Sequence, residues 1–325
     1  MNAPLPRVIS GMRPTGALHL GHYHGVLKTW VSLQAEHDCR FFVADWHALT
    51  GPQALPHDDA VYEMVVDWLA AGIDPERATL FLQSRMPEHA ELFTLLAMHT
   101  PVAWLERVPG YRERAEDHPS YGLLGYPLLQ AADILAHKGE WVPVGQDQAA
   151  HLELTREVAR RFNHRAGRAI FPMPQARFSD APRLTGLDGQ KMSKSAGNAI
   201  AMREAPANVH AKLRAMPTDP QRVHRHDAGD PGRCPVWALH EVVCDATERQ
   251  PLAQGCRTAQ IGCLDCKGVL ADRIVAQQQP WRERAAALEP KQVHWLVEVG
   301  TERARAYARK TLREVREVLS FQGDA

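Results

Sequence analysis

The sequence has no net charge and no long apolar run. Its 325 residues contain 38 lysines and arginines against 38 aspartates and glutamates. This balance excludes a strongly basic chain, so a nucleic-acid partner would have to meet a local patch. No run of about 18 apolar residues occurs, and no charged start precedes an apolar segment. We therefore expect a cytoplasmic protein that does not enter a membrane.

Cysteine is scarce, and four of the six cysteines occur at metal-like spacing within the C-terminal third. In a cytoplasmic chain such a pattern favours a metal site over disulfides. Four thiolates can hold either zinc or a 4Fe-4S cluster, and spacing alone does not separate the two, although zinc is the more frequent. Cys39 and Cys244 fall outside the pattern and are predicted to be core residues. The candidate ligands are Cys234, Cys256, Cys263 and Cys266.

The segment from Arg7 to Trp30 predicts a strand, a glycine-bearing turn and a helix. Such a junction binds phosphate groups, because free backbone N–H groups and the helix dipole point at it. It contains His19-Leu20-Gly21-His22, in which two imidazoles provide donors and Gly21 leaves the backbone accessible. This arrangement suits ATP. The alternative is two surface histidines on a first helical turn.

A second motif, Lys191-Met-Ser-Lys-Ser195, follows a segment that contains Gly186 and Gly189. Two lysines on a mobile segment can close on a triphosphate and neutralise departing pyrophosphate. Alone, such a motif is usually solvated surface. In this order, however, the two motifs resemble the paired signatures of the class I aminoacyl-tRNA synthetases.

Strands and helices alternate through the first part of the chain, which predicts an α/β fold with a Rossmann-like, doubly wound parallel sheet. Beyond Ser195 only helical patterns follow. We expect a catalytic domain over residues 1–199 and an all-helical domain over residues 200–325. The predicted helices of the second domain cover residues 203–215, 234–246, 264–278, 284–298 and 300–319.

An apolar helical pattern around residues 126–135 places Gln130 and Asp133 three positions apart, and therefore on one face. A carboxylate in an apolar pocket can accept a hydrogen bond from an indole N–H or a phenol O–H. The alternative is a helix that is solvated at both positions. The strand Trp141–Val144 then leads into Gly145-Gln146-Asp147-Gln148, at the edge of the sheet where ligands bind.

Over nearly its whole length the chain resembles the tryptophanyl-tRNA synthetases, in particular a bacterial subgroup with a 4Fe-4S cluster in the anticodon-binding domain. The resemblance implies that iron-sulfur replaces zinc as the preferred metal. It also implies L-tryptophan, ATP with Mg²⁺, and tRNA(Trp) as partners, and a homodimer. The matching segments are Ser10–Thr15, His19–His22, Ala44–Leu49, Tyr126–Leu135, Val142–Gln148, His151–Glu157, Lys191–Ser195 and the cysteine cluster.

The same resemblance assigns roles to individual residues. It implies catalysis by His19, His22, Lys191 and Lys194, with Asp133 as the acceptor for the indole N–H. Tyr126, Gln130 and Gln148 would surround the amino acid. The implied ATP-binding residues are Arg13, Pro14, Thr15, Gly21, His22, Gly145, Gln146, Asp147, Leu184, Lys191, Met192, Ser193, Lys194 and Ser195.

Two positions depart from the pattern of many bacterial members, which have Asn in place of His22 and Met in place of Gln130. Gln130 followed by Asp133 is also similar to tyrosyl enzymes, so tyrosine is an alternative substrate. Two further alternatives are a catalytically silent RNA-binding paralogue and a small-molecule adenylyltransferase. The last would not require a metal-bearing helical domain.

Overall fold

The computed structural model describes residues 4–50, 58–113, 120–178 and 184–319. Its centre is a five-stranded parallel sheet in the order β3-β2-β1-β4-β5. The strand order reverses between β1 and β4, which creates the crevice where α/β sheets bind ligands. The strands are β1 (Arg7–Met12), β2 (Asp38–Val43), β3 (Ala78–Leu82), β4 (Trp141–Val144) and β5 (Gln175–Phe178).

Helices cover both faces of the sheet, as the sequence predicts for a doubly wound fold. The helices of the first part are α1 (Leu20–His22), α2 (Lys28–Leu33), α3 (Asp45–Ala48), α4 (Asp58–Ala71), α5 (Pro87–Ala97), α6 (Val102–Glu106), α7 (Pro109–Arg112), α8 (Tyr121–Ala136) and α9 (Ala149–Ala166). A π-helical turn, Tyr23–Leu27, joins α1 to α2. Short 3-10 turns occupy Gln83–Arg85, Gln146–Gln148 and Pro231–Arg233.

One core lies on each face of the sheet. On one face the Trp30 ring stacks on Phe41 with centroids 4.2 Å apart, and Trp68 meets Trp30 edge to face. On the other face Phe42 stacks on Phe81. Buried aromatic pairs of this kind contribute about 0.5–1.5 kcal/mol beyond their burial. They fix the sheet that carries the loops of the site.

The C-terminal part is helical, as predicted, but its helices differ from the predicted ones. They are α10 (Pro206–Ala215), α11 (Pro235–Val243), α12 (Ala246–Arg257), α13 (Cys263–Ala286) and α14 (Pro290–Val318). The sequence pattern missed α12, which contains Pro251. The two helices expected over 284–298 and 300–319 fall on the end of α13, which reaches Ala286, and on the single helix α14, which passes through Gly300 without a break.

Helix α14 packs against the catalytic sheet. Gly300 faces Leu80 of β3 so closely that a Cβ at this position would lie 1.9 Å from the Leu80 carbonyl oxygen. Ala304 and Ala308 join the core that contains Phe42 and Phe81. The predicted division at residues 199 and 200 therefore stays a prediction. No helix within the described ranges is long and apolar enough to cross a membrane.

Candidate active site

The His19–His22 turn lies directly after β1, at the reversal of strand order. Its two imidazoles and backbone form a reciprocal cap. His19 Nδ1 accepts the Gly21 N–H at 3.1 Å, and His22 Nδ1 accepts the His19 N–H at 3.2 Å. Since both Nδ1 atoms are acceptors, each neutral ring carries its proton on Nε2. Two N–H donors therefore remain available for phosphate oxygens.

The surroundings of both histidines favour the neutral imidazole, as expected of hydrogen-bond donors that carry no charge. Burial, followed by the charge of Lys194, lowers the pKa of His19 to about 4. Burial and then the neighbouring His19 lower the pKa of His22 to about 3. Their ring centroids are 3.8 Å apart, so two positive charges would repel strongly. The positive charge at the site comes from the lysines.

The Lys191–Ser195 segment contacts the loop that follows β1. Lys194 Nζ donates to the Thr15 carbonyl at 2.7 Å, and burial lowers its pKa. The Asn198 carboxamide stabilises the conformation of the segment through two hydrogen bonds. It accepts the Ser193 N–H at 2.7 Å and donates to the Lys191 carbonyl at 3.1 Å. Two motifs far apart in sequence thus form one cationic surface.

Several residues that the resemblance assigns to ATP surround this surface. Thr15 and Arg13 are exposed on the loop after β1, whereas Pro14 is buried. Met192 donates its N–H to the Leu184 carbonyl at 2.9 Å, and both side chains belong to the hydrophobic core. A nucleotide can therefore meet Leu184 and Met192 only through their backbone.

Gly145, Gln146 and Asp147 follow β4, across the crevice from the loop after β1. A Cβ at Gly145 would lie 2.6 Å from Asp147 Oδ1, so glycine is required for the carboxylate to fold back over the backbone. Gln146 and Asp147 are exposed. The three residues thus lie at the carboxyl edge of the sheet, as predicted.

Three of the predicted amino-acid-binding residues meet through one histidine. His151 on α9 contacts Tyr126 through Nε2 at 3.1 Å, and through Nδ1 it contacts Gln130 and Gln148 at 2.9 Å each. His151 is buried. It therefore fixes the orientation of the two carboxamides and the phenol that line this side of the pocket.

Asp133 is fully buried, and its carboxylate already has partners within the protein. Oδ2 accepts from His47 Nε2 at 3.0 Å and from Gln83 Nε2 at 2.8 Å, while Oδ1 accepts from His89 Nδ1 at 2.8 Å. Burial alone would raise the pKa of Asp133, but hydrogen bonds from His47 and His89 lower it below its ordinary value. The sequence predicted that this carboxylate faces the substrate. It did not predict these three donors.

The Asp133 network continues away from the pocket. His89 donates from Nδ1, so its Nε2 accepts from His137 Nε2, 2.9 Å away. Both histidines are fully buried, and burial lowers the pKa of His137 well below its ordinary value. On the pocket side, the His47 ring meets Tyr126 edge to face. His47 therefore links Asp133 to the residues around His151.

Four residues of the pocket were not predicted individually: His47, Gln83, His89 and His151. His47 and Gln83 could have been found, because each follows the carboxyl end of a strand, where polar side chains meet at the sheet edge. His151 lies one helical turn beyond Gln148. His89 gives no such signal, since it lies inside an ordinary amphipathic helix.

The four candidate metal ligands are close enough for their charges to interact. Burial, followed by the charges of Cys234, Cys256 and Cys263, raises the pKa of Cys266 to about 12. Cys263 begins α13, and Cys234 directly precedes α11. Within the described residues, however, no three side chains of His, Cys, Asp or Glu are already arranged to hold a metal ion. Cys39 and Cys244 are buried, as predicted.

Known proteins resemble this chain over almost its full length. The family model described as tRNA synthetases class I (W and Y) matches residues 2–277. The tryptophan–tRNA ligase of Ralstonia nicotianae is 48% identical, with 97% of this chain and 98% of that protein covered. The tryptophan–tRNA ligase of Thermotoga maritima is 45% identical, with 97% of this chain and 99% of that protein covered. Tryptophanyl-tRNA synthetase from Campylobacter jejuni, solved with ADP and tryptophan, superposes with a TM-score of 0.86 at 30% identity, covering 97% of this chain and 99% of its own.

Proposed function

This chain belongs to the class I tRNA synthetases of the tryptophan and tyrosine family, and we propose that it ligates L-tryptophan to tRNA(Trp) with ATP. The proposal rests on one observation above all. The His19–His22 turn and the Lys191–Ser195 segment meet at the crevice of the sheet, where Lys194 Nζ contacts the Thr15 carbonyl. Asp133 lies on α8, and His47 and Gln83, which follow neighbouring strands of the same sheet, donate to it.

The first step forms tryptophanyl-adenylate. A carboxylate oxygen of tryptophan bonds to the α-phosphorus of ATP, and the bond from that phosphorus to the pyrophosphate oxygen breaks. Because the carboxylate is already ionised, no general base is required. Lys191 and Lys194 neutralise charge on the departing pyrophosphate, and His19 and His22 donate N–H groups to phosphate oxygens. ATP enters as its Mg²⁺ complex.

The second step transfers the tryptophanyl group to tRNA. The 2′-hydroxyl oxygen of the terminal adenosine bonds to the carbonyl carbon, the bond from that carbon to the phosphate oxygen of AMP breaks, and the departing AMP takes up the hydroxyl proton. Residues 1–199 carry both reactions, and the C-terminal residues 200–325 contact the anticodon. The enzyme acts in the cytoplasm.

Recognition of tryptophan rests on Asp133. A carboxylate offers about four lone-pair positions, and three donors occupy it in the structure. The indole N–H donates to the remaining position. Phenylalanine would leave the carboxylate one donor short, and a site built around such a hydrogen bond rejects the deficient analogue by about 10⁴-fold or more. Tyrosine is the second candidate substrate, supported by Gln130 close to Asp133 on the same helix.

The four clustered cysteines hold a 4Fe-4S cluster in our proposal, with zinc as the alternative. Four thiols from three segments influence one another's pKa, and cysteine thiolates are the usual ligands of an iron-sulfur cluster. Two of them lie at helix N-termini, where the helix dipole favours anionic thiolates. Arg222 Nη1 lies 4.0 Å from Cys256 Sγ and adds positive charge. The cluster would cross-link α11, α12 and α13.

The protein forms a homodimer in this proposal. Large apolar side chains are more than half exposed at the ends of helices next to the amino-acid pocket, which is unusual unless another surface covers them. Met98 follows α5 and is 72% exposed, and Tyr121 begins α8 and is 68% exposed. Val102 at the start of α6 and Leu49 after α3 are also exposed. We propose that a second copy of the chain covers these side chains.

ATP–pyrophosphate exchange with tryptophan and with tyrosine tests the function directly. The protein is purified without oxygen, and the visible absorbance of an iron-sulfur cluster is recorded on the same sample. Exchange driven by tryptophan alone is the expected result. Exchange with tyrosine would reassign the substrate, and exchange with neither would identify a catalytically silent paralogue.

A further inference from the structure

A buried aspartate outside the catalytic residues joins the two segments that we assign to ATP. Asp67 lies on α4 and is 1% exposed. One carboxylate oxygen accepts the Leu18 backbone N–H at 2.5 Å, and the other accepts Arg203 Nε at 2.5 Å. Leu18 directly precedes the His19–His22 turn. Arg203 belongs to the chain that leaves the Lys191–Ser195 segment.

The backbones of these two stretches are also paired with each other. Leu20 donates its N–H to the Ile200 carbonyl at 3.0 Å, and Met202 donates to the Leu18 carbonyl at 2.8 Å. His19 and Ala201 form the antiparallel bridge between these bonds. Asp67 lies at one end of this short pairing and bonds to both strands of it. A shift of either stretch would therefore break a contact with the same carboxylate.

Asp67 is buried and pairs with the Arg203 cation. Burial raises the pKa of Asp67, and Arg203 opposes that effect. A buried charge is stable only when it is paired and hydrogen-bonded, and Asp67 has both kinds of partner. Arg203 also pairs with Glu63, which contacts neither Leu18 nor the turn. In addition, the negative charge of Asp67 favours the protonated form of Lys194.

We propose that Asp67 is a positioning residue that holds the His19–His22 turn and the chain following Ser195 together, so that both segments approach the nucleotide as one unit. The proposal rests on the proposed function, because it assumes that both segments bind ATP. Glu63 supports Arg203 from the solvent side and is dispensable for the coupling.

Three variants test this role: Asp67→Asn, Arg203→Gln and the matched control Glu63→Gln. Asp67→Asn keeps an acceptor for Leu18 but loses the charge, and Arg203→Gln removes the cation while leaving α4 intact. The KM for ATP in pyrophosphate exchange should rise about tenfold or more in both, since each loses a charge-assisted hydrogen bond. Tryptophan binding, measured by equilibrium dialysis, should stay within about twofold. Glu63→Gln should match the parent.

The double variant Asp67→Asn with Arg203→Gln provides a second readout. If the two residues act as one unit, the fold increase in KM for ATP of the double variant should be far smaller than the product of the fold increases of the two single variants. Additive effects, or a KM for ATP unchanged in both single variants, would overturn the proposal. Equal losses in ATP and tryptophan binding would also overturn it, because they would indicate a purely structural role.

Amide hydrogen exchange separates this test from the test of function. The measurement is made with Mg²⁺ and ATP in the absence of tryptophan and tRNA. In Arg203→Gln, the protection of the backbone amides of residues 18–20 and 200–202 from exchange should fall in both stretches. In Glu63→Gln, this protection should equal that of the parent. Parent protein that exchanges pyrophosphate with neither amino acid would contradict the proposed function. Loss of protection on only one of the two stretches would contradict the coupling.

Discussion

At the scale of single residues, Asp133 has hydrogen-bond partners that no sequence motif predicts. The sequence identified the carboxylate and its helix face, and the structure confirms that Asp133 lies in α8. Its partners His47, Gln83 and His89 come from three other elements. No local pattern connects residues so far apart along the chain. Only the parallel sheet brings them to the same carboxylate.

This network predicts the effect of Asp133→Asn, which keeps the shape of the side chain and removes its charge. The amide would present a donor to at least one group that already donates, so His47 and His89 could not both be satisfied. We expect the kcat/KM for tryptophan in pyrophosphate exchange to fall about 100-fold or more. Binding of an unreactive ATP analogue should stay within about twofold.

A histidine elsewhere provides the control for Asp133→Asn. His89 lies within α5 and His99 directly follows this helix. Unlike His89, His99 contacts Arg165 and not Asp133. His99→Asn should leave both measurements unchanged, whereas His89→Asn should raise the KM for tryptophan. An Asp133→Asn protein with the parent kcat/KM would refute the role of the carboxylate in tryptophan recognition.

At the scale of elements, the sequence predicted helices that face solvent or a core but not how glycine is used within them. Gly72 follows α4 with φ of +111°, a conformation that favours glycine. A break between two helices was expected just before Gly300, yet Gly300 lies inside α14. The difference is spatial, since Gly300 permits a helix to approach a strand. That contact is invisible in the local sequence.

Gly300→Ala tests this close approach. The new Cβ would lie 1.9 Å from the Leu80 carbonyl oxygen, so α14 or β3 would have to move. Overpacking of this kind typically costs about 1–3 kcal/mol. We expect the free energy of unfolding in urea to fall by at least that amount.

Gly268→Ala in α13 is the matched control. No atom lies within 4 Å of a Cβ built at Gly268, so alanine should stabilise the helix by about 0.5–1 kcal/mol. If Gly300→Ala were as stable as Gly268→Ala, α14 would not be packed on β3 as described.

At the scale of the whole molecule, alternating strands and helices predicted the doubly wound sheet, because that alternation has few compact solutions. The return of α14 to the sheet could not be predicted in the same way. An amphipathic helix shows which face is buried but not against what. The alternating charges of α14 are typical of a solvated outer face, yet Arg305 and Arg309 both pair with Glu88 of α5. These contacts attach the C-terminal helix to the catalytic part.

The clustered cysteines give the last prediction at this scale. If they hold a 4Fe-4S cluster, protein purified without oxygen should contain iron and acid-labile sulfide in equal amounts. Cys263→Ser should lose the iron and lower the melting temperature, because α11, α12 and α13 would lose their shared cross-link. Cys244→Ala is the control, since Cys244 is buried beside His240 and lies outside the cysteine spacing. It should retain the full iron content. Zinc in place of iron would select the alternative metal, and full iron retention in Cys263→Ser would exclude Cys263 as a ligand.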